Sequence, residues 1–286
     1  MEFVNLDGKL LEAKNPVIGL DNRSFRYGDC VFESLRGMHG KCCFAVDHYA
    51  RLINGMKALK MAVPQSFTAN FFEQSINQLL EHNGHKEGSR IRFSVFRNSE
   101  GYYRPHSNQV SYSVESVALP NNMYAMNEKG LRIDIFDEYK KPLNKFSSLK
   151  TANSLPFVLA GIYASERELD DCILLNEQGG IAEATSSNIF IIYNGVFYTP
   201  SVNQGCIEGI MRSKIIQFAQ RKNIGIQECT LGPSALIRAD EVFLTNSITG
   251  IRWVGSYRQK RYFKKISDII LEEINKDQNI FLLPHD

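Results

Sequence analysis

Apolar positions change period along the chain, and each change marks an element. FVNL-DG-KLLEA alternates on both sides of Asp7-Gly8, which predicts two strands joined by a two-residue turn. VFESLRGM-HG-KCCFAV predicts a second pair about His39-Gly40. The period then lengthens: Leu52, Met56 and Leu59 recur at helical spacing in HYARLINGMKALKM, with Asp47 placed as its cap. A second helix is predicted from Ala69 to His82, closed by Asn83-Gly84. Alternation returns in RIRFSVFR and QVSYSVESVAL, on either side of the loop NSEGYYRPHSN, rich in Gly, Pro and aromatic residues. LPNNMYAMNEKG, with Pro120 and Gly130, follows neither period and is expected to be a linker.

LRIDIF opens the second half as a strand, and the apolar run that follows predicts a helix from about Ser154 to Leu169. DCILLNEQGGIAEATSSNIFIIYNGVFYTP divides into strands at the turns Gly179-Gly180 and Asn194-Gly195. GIMRSKIIQFAQRKNIG is a helix entered at Gly209 and stopped by Gly225. DEVFLTNSITGIRWVG is strand, polar turn, strand, and KKISDIILEEINKD is an amphipathic closing helix. Strands and helices mixed in this order predict an α/β (mixed α+β) chain of two domains. A small N-terminal domain spans 1–119, a linker 120–130, and a larger C-terminal domain 131–286.

Composition narrows the function classes. With 286 residues, 43% of them hydrophobic, the chain can bury more than one domain's core. Lys plus Arg number 33 against 31 Asp plus Glu, a formal charge of +2 without a basic stripe, so nucleic acid is not an expected partner. The run Leu155 to Ala164 falls short of the ~20 apolar residues that span a membrane. MEFVNLDGKLLEAK lacks the apolar centre of an export signal, and a soluble, cytoplasmic protein is expected. Six cysteines without C-x-x-C spacing read as core residues, and no ligand set for a metal stands out. G-x-G-x-x-G, G-x-x-x-x-G-K and G-x-S-x-G are all absent.

One lysine is set apart. Lys150, in KFSSLKTANSLPFVLAGIYA, follows two serines and precedes the most apolar stretch of the chain, whereas most lysines keep to water. A lysine amine shielded from solvent or placed beside positive charge becomes a nucleophile toward carbonyls such as the aldehyde of pyridoxal phosphate. That cofactor also needs an anion site for its phosphate, a carboxylate for its ring nitrogen and an apolar side chain on its face. Gly209 starts a helix whose Ile210 and Met211 amides an anion could reach, NSITG offers Ser247, and Glu183 is the one acid in a stretch of apolar and small residues.

In that order, SLKTANSL, GGIAEATSSNIF, QGCIEGIMRSKII and ADEVFLTNSITGI resemble the class IV (fold type IV) pyridoxal-phosphate enzymes. These are the branched-chain aminotransferases, D-amino acid aminotransferases and aminodeoxychorismate lyases. LDNRSFRYGDCVFESLRG and DHYARL are similar to the family's opening segments, so the resemblance covers nearly the whole chain. It implies pyridoxal 5'-phosphate held in a crevice between two domains of a homodimer, with Lys150 as the Schiff-base lysine and Glu183 on the pyridine nitrogen. Arg51 would bind phosphate with Gly209, Ile210, Met211 and Ser247, while Ile207 would pack on the ring. The substrate pocket would include Tyr27, Phe32 and the backbone at Ile248 and Thr249. Arg104 and His106 reproduce the R-x-H spacing with which the D-amino acid enzymes hold a carboxylate, but Phe32 stands where those enzymes carry a tyrosine. The implied activity is transamination between an amino acid and a 2-keto acid. Pyruvate elimination from aminodeoxychorismate, or cofactor binding without turnover, are the alternatives.

Overall fold

The computed structural model describes residues 2–15 and 18–276. They form two compact units: one runs as far as Met123 and takes in Lys150–Asn153, the other comprises Tyr124–Leu149 and Ser154 onward. The lysine expected in the second domain is therefore grouped with the first unit.

In the first unit, β1 (Phe3–Leu6), β2 (Lys9–Glu12), β3 (Cys30–Met38), β4 (Lys41–Cys42), β5 (Gly88–Arg97) and β6 (Val110–Leu119) make one sheet in the order β2-β1-β6-β5-β3-β4. Each neighbouring pair is antiparallel. Three helices complete it, α1 (Arg23–Tyr27), α2 (Ala45–Ala58) and α3 (Ala69–His82). Leu35, Phe93, Val95 and Val114 of the sheet share a core with Leu52, Met56, Phe72 and Ile76 of α2 and α3. The start of α2 departs from expectation: Phe44, in the left-handed region at φ 54°, is the N-cap, and Asp47 lies inside the first turn. There its charge favours the positive helix end. For α3 the expected bounds hold, and Thr68 caps the Phe71 amide at 3.2 Å.

Lys150–Asn153 lies along the beginning of β3. Phe32 N–H donates to Lys150 O and Ala152 N–H to Cys30 O, each at 3.0 Å, and Thr151 bridges Val31 antiparallel. The period of two along β3 then sorts its residues. Val31, Glu33 and Leu35 are buried, while Phe32 and Ser34 point to the other face, opposite Ser94 and Arg92 in register.

The second unit contains β7 (Leu131–Lys141), α4 (Leu155–Glu166), β8 (Asp171–Asn176), β9 (Ile181–Ala184), β10 (Asn188–Tyr193), β11 (Val196–Pro200) and α5 (Ile210–Arg221). It continues with β12 (Ile226–Cys229), α6 (Ser234–Arg238), β13 (Glu241–Asn246), β14 (Gly250–Tyr257), β15 (Lys260–Arg261) and α7 (Ile266–Lys276). Among the described residues its strands form a mixed sheet, β12-β11-β10-β13-β14-β7-β8-β9, with β15 on β14. Pairs β11/β12, β14/β7 and β7/β8 are parallel. Where β14 meets β7 the register shifts between Val254 and Ser256, and a Cβ on Gly130 would fall 2.4 Å from Gly255 Cα. Only glycines allow that approach. Ile133, Ile173, Ile189, Val242, Leu244 and Val254 form the main core, and Phe136, Cys172 and Leu174 pack with Ala160 and Tyr163 of α4. α5 ends at Arg221, with Asn223 left-handed at φ 55°, ahead of the expected stop at Gly225. No helix among the described residues is long and apolar enough to cross a membrane.

Glu33 brings a charge into the first core. Its side chain is 1% exposed. Oε1 accepts from Arg51 Nε at 2.8 Å, while Oε2 accepts from Arg51 Nη2 and from His48 Nδ1, the latter at 2.6 Å. Burial alone would raise the acid's pKa, but the Arg51 charge and hydrogen bonds, with His48, hold it at about 2. Burial in turn lowers the His48 pKa, so its neutral ring donates from Nδ1. A carboxylate with a depressed folded value stabilises above its unfolded pKa and loses that contribution as pH falls toward the folded one. Glu33→Gln is expected to cost about 3 kcal/mol at pH 7. Its thermal midpoint should fall less than the wild type's between the ordinary value of 4.5 and about 2. Parallel slopes for the two proteins in that window would contradict the assignment.

Candidate active site

The first unit contributes a lysine, two arginines and a ring. Lys150 is half-buried, and its Nζ lies 4.5 Å from the centroid of Phe32. Arg92 stacks on the same ring, its Cζ 3.7 Å from the centroid, and donates from Nε to Ser94 Oγ at 3.1 Å. Burial lowers the Arg92 pKa from the ordinary arginine value, with Cys30 and Glu115 acting in the opposite sense. Two cations on one ring make this face of the sheet electropositive. Arg51, from α2, is held by Glu33 along one edge of its guanidinium, through Nε and Nη2, which fixes the plane of the group.

Tyr27 closes α1, half-buried, with its ring 5.4 Å from that of Tyr103 in the loop between β5 and β6. Arg23 anchors that loop: Nη1 donates to Gly101 O at 2.8 Å and to Tyr102 O, while Nε pairs with Asp29 at 2.9 Å. Arg97 shares Asp29 Oδ2 at 2.9 Å. Arg104 and His106 lie beyond these anchors and are exposed, His106 having an Nδ1 4.0 Å from the Glu100 carboxylate.

In the second unit Glu183, on β9, is 3% exposed. Oε1 accepts from the Lys141 ammonium, and Oε2 accepts the Ile207 N–H at 3.1 Å. Ile207 is held a second time, its carbonyl accepting from Asn188 Nδ2 at 2.7 Å. Two residues on, Gly209 is the N-cap of α5 and offers no side-chain hydrogen bond to the helix start, so the Ile210 and Met211 amides belong to the unpaired first turn. A Cβ at Gly209 would stand 1.9 Å from Asn188 Oδ1, so a side chain there would have to displace the Asn188 amide that holds Ile207.

Ser247, Ile248 and Thr249 form the turn between β13 and β14. The Ile248 and Thr249 amides, expected to face a substrate, both donate to Asn246 Oδ1, at 3.0 and 2.8 Å. Asn246 Nδ2 donates to Ser187 Oγ at 3.0 Å, and the Ser247 carbonyl accepts from the Tyr124 hydroxyl at 3.1 Å. The turn is thus closed on itself, and its amides reach a ligand only by exchanging partners.

The sequence reading passed over Glu33, His48, Arg92 and Lys141. Glu33 had a signal, a lone acid in step with Val31 and Leu35 on a buried face. Arg92 shares its alternation with Ser94 and reads as solvated until β5 is placed in register. Lys141 had no signal, because the adjacent Lys140 is chemically identical and exposed. Each unit carries groups that suit a part of pyridoxal phosphate: in the first, a guanidinium for an anion and an amine beside an aromatic ring; in the second, helix amides for an anion and a buried carboxylate for a ring nitrogen. Among the described residues no three His, Cys, Asp or Glu side chains converge as metal ligands.

The family model for amino-transferase class IV matches residues 30–257. A Methanocaldococcus jannaschii protein assigned as a branched-chain-amino-acid aminotransferase is 29% identical over 87% of this chain and 85% of its own. An aminodeoxychorismate lyase of Vibrio harveyi is 24% identical over 82% and 85%. The crystal structure of the branched-chain aminotransferase of Thermoproteus uzoniensis with norvaline superposes with a TM-score of 0.87 at 24% identity, covering 95% of this chain and 93% of the other. The fold is that of the fold type IV enzymes, and the chain belongs to the class IV aminotransferases.

Proposed function

We propose that the protein is a homodimeric aminotransferase that moves an amino group between an amino acid and a 2-keto acid. Class IV aminotransferases use pyridoxal 5'-phosphate, which when bound supplies the electron sink that makes the Cα–H of an amino acid acidic. The observation that carries the reading is the place of Lys150, held by backbone pairing to β3 and set over Phe32 beside Arg92. The uncharged amine is the form that attacks carbonyl carbon.

Each residue then has a task. Lys150 would hold the cofactor aldehyde at rest, and its Nζ, when free, would move a proton from the substrate Cα to C4′, as general base and then acid. Glu183 holds the ring nitrogen in its protonated form. Ile207, its backbone fixed by Glu183 and Asn188, would pack on the ring. Arg51, Gly209, Ile210, Met211 and Ser247 serve the phosphate. Tyr27 and Phe32 line the substrate side, with the turn amides at Ile248 and Thr249 in reserve. For the substrate carboxylate we favour Arg92, half-buried on the face that carries Lys150, over the exposed Arg104 and His106. The Vibrio harveyi relative supports a second reading, in which the same proton abstraction leads to loss of pyruvate.

Incubation with one amino acid and no keto acid is expected to change the cofactor's absorption and release about one equivalent of 2-keto acid per subunit, L- and D-donors being assayed separately. Repeated pyruvate release from aminodeoxychorismate without an acceptor would establish the lyase instead.

Arg92→Gln is expected to raise KM for the amino acid about tenfold or more, since losing a desolvated charge-assisted contact costs on the order of 2 kcal/mol. Cofactor affinity should be unchanged. Arg104→Ala and His106→Ala should each leave KM within about twofold. The opposite pattern would assign the carboxylate to the loop.

A further inference from the structure

We propose that Lys141 is a positioning residue that keeps a proton on the cofactor's ring nitrogen by holding Glu183 as a carboxylate. The inference rests on Glu183 as the partner of that nitrogen and adds a role for a lysine outside the family motifs.

Lys141 ends β7, after the register with β8 has slipped between Phe136 and Lys141. The slip decides which of two adjacent lysines enters the unit: Lys140 is exposed, Lys141 is 6% exposed. A lysine goes inside only when its charge is met. Here the Nζ is bonded to Glu183 Oε1 and lies 5.1 Å from the Phe157 ring, while the Ile207 N–H occupies Oε2. An ionised carboxylate accepts about four hydrogen bonds, so a ring N–H still has room.

A carboxylate and a pyridine nitrogen that share one proton have two arrangements of equal net charge. One is carboxylate with pyridinium, the other carboxylic acid with neutral pyridine. Shielding from water favours the uncharged arrangement, because the ionic one holds two charges out of solvent. An ammonium touching the carboxylate reverses that preference. Any ring cation bonded to the same carboxylate stands farther from Nζ than the carboxylate does, so attraction for the anion exceeds repulsion of the cation. The Ile207 N–H acts in the same sense. Glu183 alone would be a base able to take the proton back; with Lys141 attached it leaves the proton on nitrogen.

The test is the nitrogen NMR shift of holoenzyme loaded with pyridoxal phosphate carrying 15N in the ring, because pyridinium and neutral pyridine are well separated. Wild type should show the pyridinium position, and Lys141→Arg should retain it. Lys141→Met should move the signal toward neutral pyridine, as should Glu183→Gln. Lys141→Gln, which keeps a polar group in the same space, gives the same readout if the methionine variant folds poorly. A Lys141→Met or Lys141→Gln signal that stays at the wild-type position while Glu183→Gln shifts would overturn the role of Lys141 and leave that of Glu183 standing. No shift in Glu183→Gln would remove Glu183 from the nitrogen, and this inference with it.

Discussion

A carboxylate taken out of water has to be met by positive charge and N–H groups, and each unit of this protein buries such a carboxylate among its candidate site residues. In the first, Glu33 lies among the core side chains of β3 and fixes the guanidinium of Arg51 and the tautomer of His48. In the second, Glu183 draws the ammonium of Lys141 and the amide of Ile207 to itself. Removing either acid would leave buried cations uncompensated, which links the stability of each unit to the geometry of its functional groups.

The two faces of β3 carry this arrangement further. Because successive side chains alternate, the strand that turns Glu33 toward α2 turns Phe32 the other way, toward Lys150 and Arg92. A shift of one residue in the pairing with Lys150–Asn153 would turn the Lys150 side chain away from Phe32. The bonds between Phe32 and Lys150 and between Ala152 and Cys30 therefore specify the lysine's position through the backbone alone. In the second unit Ser187 and Asn188 do comparable work, one bonded to Asn246 in the β13–β14 turn, the other to Ile207 and pressed against Gly209.

Elements fixed by local chemistry were legible in the sequence. Asp7-Gly8 and Asn194-Gly195 adopt positive φ at the hairpin turns where their types require it, and α3 keeps the bounds that its spacing and cap indicate. The lysine, the acid and the helix-start glycine stood out because each breaks the pattern around it. What stayed hidden depends on long-range pairing. β12 is a short, partly exposed strand, recognisable only once β11 lies parallel to it. α2 begins at a left-handed phenylalanine, which no cap rule favours. Lys141 differs from Lys140 only by a bulge whose register is set across β8. The closed turn at Ile248 and Thr249 depends on the orientation of the Asn246 side chain, which spacing does not record.

The central claim is that, among 33 lysines and arginines, the amine of Lys150 engages the cofactor. Borohydride reduction of the protein loaded with pyridoxal 5'-phosphate, followed by peptide mapping, tests it most directly. The account predicts a single stable label on the peptide that contains Lys150, absent from a Lys150→Ala variant that still folds. A label on Lys141 or on any other lysine, with Lys150 unmodified, would contradict it.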